Sequence, residues 1–167
     1  MNDIEIIFLG TGNAFYESGR THQSLWIKTS TINFLVDAGT TSLYRMREID
    51  LNPEILDFIF ITHFHGDHTA GLPFLMLYLK NEFSSPRRPV LIGPAGLKKR
   101  CTALFEAAYE GAELEKGITF MELAPKMQKG ISISHDFFID VYQMKHYPGS
   151  LGYRFNINHK IIAVSGD

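Results

Sequence analysis

Residues 59–72 read IFITHFHGDHTAGL: a run of apolar β-formers, then His63, His65, Asp67 and His68 within six positions. Imidazole nitrogens and a carboxylate are the donors that a borderline-soft Zn²⁺ takes. A strand could not gather them, because its pleat sends neighbouring side chains to opposite faces. The stretch therefore predicts a short buried strand over 58–61 and a turn over 62–69 that aims several donors into one cavity. A polar loop whose histidines bond to nearby backbone would account for one such residue. Four of them, flanked by apolar sequence that would bury them, point to a metal centre.

Strands and helices alternate on either side of this stretch. Ile4–Leu9 is β-rich and enters the loop GTGNAFYESGR; Ser24–Lys28 and Asn33–Asp37 then read as antiparallel strands, so the opening is a β-meander. Helices are expected over Thr41–Glu48, Ala70–Lys80 and Ala95–Glu110, with a buried strand in RPVLIGP. From Ile118 onward β-type segments dominate: Ile118–Leu123, Ile131–Ser134, Phe137–Met144, Leu151–Asn156 and Lys160–Val164. NEFSSPRRP reads as a surface loop. This order predicts a sheet-rich α/β layer structure with helices outside.

At 167 residues and 45% hydrophobic composition, the chain is expected to form one domain, 1–167, with enough apolar sequence to close a core. Sixteen basic against 18 acidic residues give a formal charge of −2, which excludes a global pull toward nucleic acid or anionic membrane. Any polyanion site must be local. Arg87–Arg88 and Lys98–Arg100 are the local basic pieces, read as solvated surface, with phosphate contact as the sharper alternative. A lone cysteine, Cys101, cannot form an internal disulfide and is read as packing in a helix, which fits a reducing compartment. MNDIEIIFLG has no basic n-region before a long apolar run, and no stretch reaches the roughly 18 apolar residues of a spanning helix, so a cytoplasmic protein off the membrane is expected.

THFHGDH also matches the HxHxDH signature of the metallo-β-lactamase superfamily of metal-dependent hydrolases, and the chain resembles that family along its length. IIFLGTGNAF is similar to the family's first strand and glycine loop, and FLVDAGT to its D-x-G turn. HYPGSLGYRF resembles the histidine motif of the ribonuclease Z and arylsulfatase branches, and IIAVSGD the strand ending in a metal-bridging aspartate. The resemblance implies an αββα sandwich of mixed sheets with outer helices. It implies two Zn²⁺ sites, with Mn²⁺ or Fe²⁺ as alternatives: His63, His65 and His146 on one ion, Asp67 and His68 on the other, and Asp167 between them. Asp37 matches a buried supporting aspartate. Asp67 takes a second, catalytic role in orienting the water that a metal-bound hydroxide mechanism consumes. Relatives that reduce dioxygen or nitric oxide carry a carboxylate where His65 stands, so the resemblance is to the hydrolytic branch.

HGDHTAGLPFLM, the GP at Gly93–Pro94 and SLGYRF favour the ribonuclease Z-like group. The expected function is a zinc-dependent phosphodiesterase acting on a small anionic ester or a nucleic-acid phosphodiester. Arylsulfatase, thioester and lactone hydrolysis stay open, because the metal site alone does not separate them. Only twenty residues lie between His146 and Asp167, where bacterial ribonuclease Z carries a long arm that grips transfer RNA. The family's closing segment, with the last histidine of the second site, has no counterpart up to Asp167, which predicts an incomplete domain lacking its C-terminal part. A truncated module that binds metal or self-associates as a homodimer through exposed sheet surface, with little activity, stands beside the enzyme reading. His22, His135 and His159 stand singly in loops or turns and are expected to take no direct part in chemistry.

Overall fold

The computed structural model describes residues 4–81, 88–111 and 118–167. Strands β1 (Glu5–Gly10), β2 (Ser24–Lys28), β3 (Asn33–Val36), β4 (Phe58–Phe60), β5 (Val90–Pro94) and β6 (Thr119–Leu123) form one sheet in chain order. The first three make the antiparallel meander, and β3 to β6 run parallel. Parallel neighbours need crossover connections. Helix α1 (Ser42–Glu48) supplies the first, the short α2 (Gly66–Thr69) with α3 (Leu72–Asn81) the second, and α4 (Leu97–Ala108) the third. Strands β7 (Gln128–Ser134), β8 (Phe137–Gln143), β9 (Leu151–Ile157) and β10 (Lys160–Val164) form a second, antiparallel sheet in the order β10-β9-β8-β7.

The two-residue period of a strand divides the first sheet's side chains between two cores. Trp26, Leu35, Ile59, Ile61 and Leu91 face the helices and pack with Met46, Leu75, Met76 and Phe105. Their neighbours Ile27, Phe34, Val36, Phe60 and Ile92 face the second sheet and meet Phe137, Ile139, Val141, Tyr153 and Phe155. Strands β4 and β5 are apolar on both faces because both faces are covered, which is why they read as continuous runs. The layers are helices, mixed sheet, antiparallel sheet. The second helical layer of the expected αββα sandwich is not found among the described residues. The outer face of the second sheet carries Phe138 and Ile161, both exposed.

Most boundaries fall within two residues of the sequence expectation, and two differ by more. The apolar stretch taken as a helix over Ala70–Lys80 is broken at Gly71, so α2 takes Asp67 and His68 into a helical turn and α3 starts afresh. A Cβ at Gly71 would lie 2.0 Å from the Gly39 carbonyl oxygen, a contact only glycine permits. Strand β7 begins at Gln128 rather than Ile131 because Gln128 pairs with Val141 across a register shift that holds Lys129 and Gly130, φ +64°, before the apolar alternation starts. Arg87 lies outside the described residues. Among the described residues no helix is long and apolar enough to cross a membrane.

Phe34 sits between the sheets with ring centroids 5.5 Å from Phe60, 5.2 Å from Phe137 and 4.9 Å from Phe155. Phe34→Ala is expected to lower unfolding free energy by about 3–5 kcal/mol. Phe138→Ala, on the outer face, should change it by about 0.5 kcal/mol or less. Urea unfolding midpoints of the two variants check both figures.

Candidate metal centre

Strands β3 and β4 run parallel, so their C-terminal ends open at one sheet edge, the usual place for a site in such a sheet. Asp37 follows β3 directly, and its φ of 62° is a left-handed conformation that costs a non-glycine residue of order 1 kcal/mol or more. That turn buries the carboxylate completely. Its Oδ1 accepts the Thr62 backbone N–H at 2.8 Å, and its Oδ2 accepts the Thr62 hydroxyl at 2.8 Å and the His68 Nδ1–H at 2.7 Å. With its hydrogen given to Asp37, the Thr62 Oγ1 is left to accept from His63 Nδ1, 3.0 Å away. Both imidazoles are thereby fixed in the tautomer that leaves Nε2 as a lone pair.

The lone pairs converge. His65 Nδ1 lies 3.1 Å from His63 Nε2 and 3.1 Å from His146 Nε2. One N–H could satisfy one of these contacts but not both. The edge between two imidazole nitrogens on a tetrahedral zinc, with Zn–N about 2.0–2.1 Å, is about 3.3 Å, so the triad fits such an ion. The donor atoms of His63, His65 and His146 lie within 4.8 Å of one another, and so do those of His63, His68 and Asp167. Asp167 turns Oδ1 toward His68 Nε2 at 3.3 Å and Oδ2 toward His146 Nε2 at 3.8 Å. Asp67 reaches the second group from the side, its Oδ2 3.5 Å from His68 Nε2. Five of the six residues expected as ligands fall in these two donor groups, and Asp67 stands beside them against His68.

Ionisation follows the same geometry. Burial, then the neighbouring His68 and His65, push the His63 imidazole down to about 4, which keeps it in the neutral form a metal requires. Burial also works against the charged form of His68, but the hydrogen bond and charge of Asp37, with Asp167 and Asp67, outweigh it and raise the group.

Glycines and tight turns deliver the remaining donors. His146 lies in the connection from β8 to β9, closed by Met144 N–H to Ser150 O at 2.9 Å and tied to the site by Leu151 N–H to Thr62 O at 2.8 Å. Asp167 follows β10 through Gly166, φ +72°, where a Cβ would stand 3.0 Å from Thr62 Cβ. Gly39 lets the D-x-G turn pass α2; a Cβ there would lie 2.1 Å from the Asp67 carbonyl oxygen.

Several residues play parts that sequence reading did not assign. Thr62 joins Asp37 to His63, and Tyr153 donates its buried hydroxyl to the Ile61 carbonyl at 2.6 Å, holding the end of β4 from the second sheet. Thr62 stood inside the quoted motif, but its partner at 37 was visible only after folding. His22 is a loop residue but a buried one, stacked on Tyr16 with ring centroids 4.2 Å apart and crowding Gly39. His135 is exposed beside Asp136 at 2.7 Å, and His159 is exposed in a turn. Burial pushes the Cys101 thiol up to about 12, consistent with packing. Arg100, read as solvated surface, donates to the Phe64 carbonyl at 3.3 Å, between two of the histidines. Glu122 accepts the Gly96 and Lys98 backbone N–H groups at 2.9 Å each and so closes the start of α4.

The fold superposes on human tRNase Z, short form, with TM-score 0.83 and 23% identity over 97% of this chain and 68% of that one. It superposes on the metallo-beta-lactamase fold protein YhfI from Bacillus subtilis with TM-score 0.78 and 15% identity, over 100% of this chain and 63% of that one. Among curated relatives, Ribonuclease Z of Methanococcus maripaludis is 31% identical over 153 residues, 91% of this chain and 48% of that protein. Ribonuclease Z of Agathobacter rectalis is 32% identical over 155 residues, 92% and 49% respectively. The chain is thus similar in sequence to proteins named Ribonuclease Z, and its fold is the metallo-β-lactamase fold. The sequence model described as Anti-Pycsar protein Apyc1 matches residues 4–167, and the chain belongs to that family. The chain spans about half the length of the curated relatives just named.

Asp37→Asn keeps the shape but removes the charge that orients Thr62 and His68. It is expected to weaken zinc binding by about 10–100-fold, as loss of a residue that orients metal ligands does. Competition with a chromophoric chelator measures this, and circular dichroism confirms that the variant is folded.

Proposed function

We propose that the chain carries the metal centre of a ribonuclease Z-like phosphodiesterase that uses zinc. The observation behind this is the pair of donor groups that share His63 and are faced by the two oxygens of Asp167. Four imidazoles and two carboxylates, with no thiolate, suit Zn²⁺ first and Mn²⁺ or Fe²⁺ after it. His63, His65 and His146 would hold one ion, Asp67 and His68 a second, with Asp167 between. Bound there, divalent ions would supply a water of lowered pKa and neutralise charge developing on a phosphoryl group.

The chain's own residues do the rest. Asp67 presents a carboxylate oxygen at the side of the second donor group, where it can accept a proton from the attacking water and fix its direction. Asp37 and Thr62 hold His68 and His63 against rotation, so the donor edge is preorganised. A phosphodiester is favoured as substrate by the curated relatives named Ribonuclease Z, and a cytoplasmic location by the single buried cysteine.

Zinc-loaded Asp67→Ala is expected to lose at least about a hundredfold in turnover of bis(p-nitrophenyl) phosphate, within the range a positioned proton-handling group supplies. His135→Ala, remote from the donor edge, should turn over like the parent. Faster turnover of a thioester than of the phosphodiester by the parent would move the reading to acyl chemistry.

A further inference from the structure

We propose that Tyr147 is the platform on which a nucleobase of the substrate stacks, an assignment that rests on the phosphodiesterase reading of the same site. Tyr147 follows His146 directly, and its ring lies 4.9 Å from the His65 ring at 57°. The residue is 43% exposed, beside an edge otherwise built of imidazoles and carboxylates.

Its backbone is fixed while its ring stays partly open to solvent. Tyr147 N–H donates to Ser150 Oγ at 3.1 Å, and its carbonyl accepts Ser150 N–H at 2.9 Å. Gly149, φ +91°, closes that turn. The Tyr147 hydroxyl makes no hydrogen bond among the described residues, whereas Tyr153, two strand positions into β9, is buried with its hydroxyl on Ile61. An aromatic face held still, open to solvent and adjoining the place where a phosphoryl group would sit matches what a base needs. Every base offers a π-face, and stacking on such a side chain tolerates sequence. The ring would set which group flanks the scissile bond, and the donor edge would act on the bond itself.

Binding to the zinc-loaded protein separates this from a structural role. Calorimetry would compare the parent, Tyr147→Phe and Tyr147→Ala with three probes: a non-cleavable dinucleoside phosphonate, diethyl phosphate and diphenyl phosphate. Tyr147→Ala should weaken the dinucleoside phosphonate by roughly five- to a hundredfold, the range of one lost base stack, while Tyr147→Phe retains it. Diethyl phosphate and zinc itself should bind all three proteins equally. An equal loss for diethyl phosphate, or weaker zinc binding by Tyr147→Ala, would show that the ring merely positions His65 and would overturn the proposal. Tighter binding of diphenyl phosphate than of the dinucleoside, with a larger loss in Tyr147→Ala, would replace the nucleobase by an aryl ester and overturn it as well. Absence of turnover of the cleavable dinucleotide, with the stacking pattern intact, would defeat the hydrolytic reading alone.

Discussion

A carboxylate sealed from water is tolerated only where its charge and lone pairs are fully met, and Asp37 is the residue on which the site's order depends. Four contacts from Thr62 and His68 compensate it, and each of those residues connects to a donor. Thr62 fixes the tautomer of His63, and His68 is itself a donor. One buried charge thus sets the orientation of two imidazoles whose donor atoms lie within 4.8 Å of each other. The left-handed turn at Asp37 is the strain that accompanies this placement.

The rest of the fold keeps that carboxylate buried and brings distant donors to it. Parallel pairing of β3 with β4 puts Asp37 and Thr62 side by side, and Asp37 N–H donates to Phe60 O at 2.8 Å. Helix α2 is held against the same turn by Ala38 N–H to His68 O and Gly71 N–H to Ala38 O. The second sheet contributes through Leu151 N–H to Thr62 O and the Tyr153 hydroxyl to Ile61 O, so His146 and Asp167 arrive with fixed backbones behind them. Aromatic packing of Phe34, Phe60, Phe137 and Phe155 holds the two sheets at the distance those contacts require.

Much of this was legible in the sequence, for physical reasons. HxHxDH after an apolar run is dense enough in donors to point to a metal centre, and the glycine of the D-x-G turn, Gly39, stands where backbone passes backbone. The opening meander and the alternation of strand and helix after it follow from short apolar runs separated by helical lengths. Period alone hid the break at Gly71, since apolar residues continue on both sides of it, and the early start of β7, whose first residues are polar. Partners far apart in sequence were equally hidden: nothing near Thr62 announces a carboxylate at 37. Burial inside a loop was not legible either: His22 is covered by stacking on Tyr16 and lies against Gly39.

X-ray absorption at the zinc edge of the protein loaded with two equivalents tests the central claim most directly. A buried carboxylate orienting His63 and His68 toward one shared edge is expected to give nitrogen and oxygen scattering at about 2.0–2.2 Å, with several imidazoles per zinc pair. A second zinc at about 3.5–4 Å should also appear. Zinc ringed by water oxygens alone, without imidazole scattering, would contradict the account.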